Sequence, residues 1–160
     1  MKAELRALGD PYASAARGGL QAIKAAHRPR IEATSTKHLT GSIDLDATLA
    51  KDPTHANAHR WDYGVGFQSS SGQRRCAVWV EVHPANPGTV DDMLRKAAWL
   101  RSWLDAHPTI DVLTVNGMRA TGTSAMFWVP TGRDSVAKGS TSFRKLATSG
   151  IIKRRRVVLP

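Results

Sequence analysis

Residues 75–83, RCAVWVEVH, alternate in character so regularly that they read as a β-strand and little else. Cys76, Val78, Val80 and Val82 fall on one face. Ala77, Trp79, Glu81 and His83 fall on the other, and Pro84 and Pro87 end the run. Residues 60–67, RWDYGVGF, form a second strand-like run, joined to the first by a short turn containing SSSG. A symmetric antiparallel hairpin with its turn centred between Ser71 and Gly72 puts Asp62 opposite Glu81. Directly opposed residues have Cβ atoms roughly 4.5–5.5 Å apart, so the two carboxylates repel unless a proton, a base or a cation offsets them. His83 follows on the same face. The hairpin therefore gathers Asp, Glu and His beside Trp79, on a face that a following helix is expected to cover.

That helix is expected from Thr89, with Asp92 as its capping-box partner, to about His107, where Pro108 stops it. Its buried stripe is Met93, Ala97, Leu100 and Leu104, flanked by Trp99 and Trp103, and Lys96 lies at the margin of the stripe. Residues 12–27 read as a helix weakened by Gly18-Gly19, and Ser42–Leu49 as a half-buried strand with Ile43, Leu45 and Ala47 inward. Ile110–Val115 and Ala125–Val129 read as further strands, Ser142–Ser149 as a short helix, and Val157–Leu159 as a return to the core. The order α-β-β-β-α-β-β-α predicts an α/β (α+β) fold around a mixed central sheet. The 160 residues suit a single domain, with 1–40 partly flexible.

Charge is unevenly spread. The chain holds 23 Lys and Arg against 13 Asp and Glu, a formal charge of +10. The part from 112 to 160 carries Arg119, Arg133, Lys138, Arg144, Lys145, Lys153, Arg154, Arg155 and Arg156 against one acid, Asp134. Such a density attracts a polyanion through counterion release, so these nine residues are candidate nucleic-acid contacts, with DNA favoured over RNA. The acids gather instead around Asp44, Asp46, Asp62 and Glu81. A single cysteine, Cys76, excludes an internal disulfide and a multi-cysteine zinc site, and fits a cytoplasmic setting. No run approaches the ~20 apolar residues of a membrane span, so no membrane association is expected. A homo-oligomer is compatible with all of this.

The pattern Trp61-Asp62, then Glu81-Val82-His83 after eighteen residues, resembles the signature of the PD-(D/E)XK nucleases. The resemblance covers roughly residues 12–116 and implies a restriction-endonuclease-like α-β-β-β-α-β core flanked by helices. It also implies a divalent-metal phosphodiesterase in which Asp62 and Glu81 hold Mg²⁺ or Mn²⁺; Asp44 is a third candidate ligand if the first strand lies beside the second. The sequence departs from the signature where His83 stands in place of the final lysine. A neutral histidine accepts a proton or binds metal but is not a lysine point charge. Lys96 or Arg95, in the second turn of the following helix, could supply that charge. Catalytic candidates are thus Asp62, Glu81, His83 and Lys96. The alternative is a nuclease-like fold that has lost catalysis and binds nucleic acid or another protein. GSIDLD, RWDYGVGF and WVEVHPA also resemble blocks of a bacterial family without an assigned activity. His55 and His59 have metal-binding spacing but lie in a loop, and residues 132–139 do not fit a phosphate-binding loop.

Overall fold

The computed structural model describes residues 1–69 and 71–160. In chain order the elements are α1 (Lys2–Ala7), α2 (Tyr12–Ala15), β1 (Ile31–Ala33), β2 (Leu39–Asp44), α3 (Leu45–Leu49), β3 (Tyr63–Gln68), β4 (Arg75–Pro84), α4 (Val90–Asp105), α5 (Pro108–Thr121), β5 (Met126–Thr131), α6 (Thr141–Thr148), β6 (Ile151–Lys153) and β7 (Val157–Leu159). The fold is mixed α/β. Five strands form one sheet in the order β2-β3-β4-β5-β6, antiparallel from β2 to β4 and parallel from β4 to β6. β1 and β7 pair separately as a short parallel ribbon.

The hairpin register agrees with the sequence. Tyr63 pairs with Val80, Val65 with Val78 and Phe67 with Cys76. The alternation of β4 divides the core into two layers. Ala77 and Trp79 lie beneath the helices, with Met93, Leu100, Trp103, Ile110 and Leu113. Cys76, Val78, Val80 and Val82 pack on the opposite face with Phe127, Ile23, Ile31, Val157 and Leu159. Val157 and Leu159 do return to the core, as expected.

Four local expectations are corrected. The helix over 12–27 shrinks to α2, because the chain turns extended at Ala16 (φ −65°, ψ 124°) and Gly19 then takes φ +50°, although Ile23 is still buried. The strand over 42–49 ends at Asp44, whose carboxylate accepts from the Ala47 N–H at 2.9 Å and starts α3. Leu45 and Leu49 are both buried, at helical spacing. The strand over 110–115 is part of α5: Pro108 occupies its first turn, where a missing N–H costs nothing, and Ile110, Leu113 and Gly117 form its buried face. Finally, the capping box uses Asn86 and Thr89 instead of Thr89 and Asp92. Asn86 Oδ1 accepts from the Thr89 N–H at 3.1 Å, Thr89 Oγ1 accepts from the Asn86 N–H at 3.2 Å, and a 3-10 turn leads into α4.

Candidate active site

The acids meet at the edge of the sheet where β2 and β4 end and β3 begins. The paired ladder stops at Tyr63–Val80, and Asp62 and Glu81 lie one step beyond it. They are joined by their own side chains there. The Asp62 N–H donates to Glu81 Oε2 at 3.0 Å, and the Val82 N–H donates to Asp62 Oδ2 at 3.0 Å. Each carboxylate thus replaces a missing rung of the ladder with a hydrogen bond that favours its charged form. Glu81 has no solvent exposure. The cation comes from α4. Lys96 Nζ lies 2.5 Å from Glu81 Oε1 and 4.0 Å from Asp62 Oδ1. Its side chain is 18% exposed and that of Asp62 21%, so the cluster opens to solvent on the Asp62–Lys96 side alone.

Burial dominates the electrostatics. It pushes the Glu81 carboxyl up to about 8, with the neighbouring Asp62 charge adding to the rise and Lys96 opposing it. Burial raises Asp62 too, against the Val82 N–H and Lys96, which hold it down. Asp44 is raised by burial, held down by its bond to the Ala47 N–H and by Lys24. Three acids at one edge therefore resist ionisation. For Glu81 the folded-state pKa lies above the ordinary ~4.3 of a free glutamate, so folding favours the protonated form. The stability this contributes is complete below that ordinary value and is lost as pH rises through about 8. Thermal melts of metal-free protein between pH 5 and 8.5 are expected to show that decline. Glu81→Gln should flatten it, with a gain on the order of a few kcal/mol at pH 8.5. An equal slope in both proteins would contradict the burial argument.

Of the residues expected from the sequence, Asp62, Glu81 and Lys96 come together. His83 does not join them. Its Nδ1 contacts the carbonyl of Pro84 at 3.2 Å, and its own carbonyl accepts from Trp128 Nε1 at 3.0 Å. The ring sits near Asp92, at the start of α4. Asp44 is adjacent to Asp62 but serves as the cap of α3. His55 and His59 have no shared metal geometry. They dock their loop along α4, His55 edge-on to Trp99 at 5.8 Å and His59 at 3.9 Å from Asp92.

No family model, no curated protein and no solved structure matches the chain. No helix among the described residues is long and apolar enough to cross a membrane.

The nine C-terminal cations separate into groups. Lys153 is bound by both oxygens of Asp134, Arg156 by Glu32 at 2.6 Å, and Lys145 lies 3.7 Å from Asp91. Arg154 turns to the other face of the sheet, over Phe127 at 5.9 Å. Arg119, in the last turn of α5, is at the opposite edge from the acids. Arg133, Lys138, Arg144 and Arg155 are exposed and form no ion pair among the described residues. Sequence reasoning missed Lys24, Arg28 and Arg30. Lys24 lies in the expected helix over 12–27 and the two arginines in the polar stretch after it, yet Arg30 donates to the Pro130 carbonyl at 2.9 Å and Lys24 acts on both Asp44 and Asp62. A contact spanning 100 residues leaves no local signal; the cation density of HRPR was the available hint.

The donor set suits a hard divalent cation. Mg²⁺ commonly takes one or two carboxylates, keeps several waters and shares substrate phosphate oxygens. Asp62 lies at the solvent opening, with Glu81 buried behind it and bonded to Lys96 and the Asp62 N–H. Among the described residues, no group of three or more His, Cys, Asp or Glu could enclose a metal. A metal held by Asp62 and Glu81 would thus need water and phosphate to complete its coordination.

Proposed function

We propose that the chain is a divalent-metal-dependent nucleic-acid phosphodiesterase of PD-(D/E)XK type, on a restriction-endonuclease-like core. The observation that carries this reading is the contact of Lys96 with Glu81 beside Asp62. The missing lysine of the signature has a stand-in from the next helix, at 2.5 Å from the acid. In this reading Asp62 and Glu81 hold Mg²⁺ or Mn²⁺. Bound there, the metal would supply an acidified water and offset the negative charge that develops on the phosphoryl oxygens. The remaining chemistry belongs to the chain. The Val82 N–H fixes the orientation of Asp62. The Asp62 N–H fixes Glu81. Lys96 donates hydrogen bonds at the solvent opening, where it orients the attacking water and neutralises a non-bridging phosphate oxygen. His83, turned away from the acids, stays outside the reaction.

The test is nicking of supercoiled plasmid, with an RNA of matching sequence in parallel. Cleavage is expected with Mg²⁺ or Mn²⁺ and none with EDTA. The rate should rise between pH 6.5 and 8.5, because Glu81, with its pKa near 8, must lose its proton to hold the metal. A rate that falls over this range would place the essential protonation state on the wrong side. Salt-sensitive binding without cleavage by any metal would leave the inactive, nucleic-acid-binding reading in its place.

A further inference from the structure

Glu81, Trp128 and Lys153 stand in one row across β4, β5 and β6. Lys153 is therefore two strands, roughly 10 Å, from the acidic centre along the same edge of the sheet. Its ammonium is held by Asp134 Oδ1 and Oδ2 at 2.6 and 2.7 Å and by the Val136 carbonyl. This anchor folds the β5–α6 loop over the end of β6. The result is a groove of about 560 Å³, whose lining includes Lys138 and Arg155, together with Arg154, whose guanidinium lies over Phe127. Asp134 cancels the charge of Lys153. Lys138 and Arg155 are exposed and without an ion pair among the described residues, so the groove keeps a net positive charge.

We propose that this groove binds a backbone phosphate of the same nucleic-acid strand whose scissile bond lies over Asp62 and Glu81, with Lys138 and Arg155 as the contacts. The proposal rests on the phosphodiesterase reading and adds the path of the strand. It runs along the edge of the sheet, from the site at the end of β4 to the end of β6. The charge is where a flanking phosphate needs it, while other cations of the C-terminal part are committed to Asp134, Glu32 and the ring of Phe127. Contacts of this kind position a strand without reading its bases.

The experiment measures binding apart from cleavage. Asp62→Asn protein in EDTA is titrated into fluorescein-labelled 20-mers of one sequence, as single-stranded DNA, duplex DNA and RNA, from 50 to 200 mM NaCl. Adding Lys138→Ala and Arg155→Ala should lower the slope of log K against log salt by about 1.8 on duplex DNA and about 1.4 on single strands. The comparison protein carries Arg6→Ala and Arg74→Ala. Both residues are exposed, Arg74 just before β4 and Arg6 on α1, whose Glu4 pairs with Arg75 at the start of β4, so the net charge is equal and the slope should not change. Equal losses in the two pairs would mean diffuse attraction and would overturn the groove, with the phosphodiesterase reading intact. Binding of AMP but no oligonucleotide would also overturn it. A parent that binds no oligonucleotide would remove both. Circular dichroism of each variant shows that a lost slope is not lost folding.

Discussion

Replacing Lys96 with methionine is expected to slow metal-dependent cleavage on the order of 10²–10³-fold, while His83→Ala changes it less than about threefold. The two residues compete for one role. His83 stands where the resemblance would put the signature lysine, but its ring contacts the Pro84 carbonyl and lies near Asp92. Lys96 is thirty-four residues from Asp62 in the chain, yet its ammonium lies 2.5 Å from Glu81. Methionine keeps the length and the packing of the lysine stem and deletes only the charge. Lys96→Arg is expected to recover part of the rate, because charge returns in a different hydrogen-bonding geometry. Asp62→Asn and Glu81→Gln should be at least as damaging as Lys96→Met. Equal losses from His83→Ala and Lys96→Met would put the histidine back in the site.

Gly117→Ala is expected to destabilise the fold by about 2 kcal/mol or more, although alanine is the better helix former by about 1 kcal/mol. A Cβ at Gly117 would lie 1.9 Å from the Ala77 carbonyl oxygen and 2.8 Å from its carbon. Those atoms are backbone in the central strand β4 and cannot rotate away. α5 would have to lift from the sheet, loosening Ile110 and Leu113 and pulling Thr114 Oγ1 from its 3.0 Å bond with Trp79 Nε1. Gly117→Val should leave little folded protein, since a domain has only about 5–15 kcal/mol to lose. Val112→Ala, on the exposed side of α5, should stay within about 0.5 kcal/mol. Urea denaturation checks all three. A stabilised Gly117→Ala would show that helix propensity outweighs the contact and that α5 is free to shift.

Much of the site's frame was legible because it depends on local periodicity. The alternation of 75–83 and the short turn were enough to place Glu81 opposite Asp62 and to put both on the face of Trp79. The stripe of α4 was legible for the same reason, including Lys96 at its margin. Legibility failed where a local pattern has two physical readings. Ile110–Val115 is an apolar run after a proline, and proline both ends one helix and starts the next. Ser42–Leu49 alternates, but Asp44 is also a good cap, and three-dimensional packing let the cap win.

What the sequence determined alone was the hairpin, its register and the charge division between acids and cations. Backbone pairing and side-chain period are short-range properties, and composition is independent of folding. Which cation serves the acids, which cations are neutralised and which remain open were decided only by the tertiary structure. Each depends on the meeting of elements distant in the chain: α4 on β4, Asp134 on Lys153, Glu32 on Arg156 and Arg30 on β5. A buried glutamate selects its partner by distance and desolvation, and neither exists until the chain has packed.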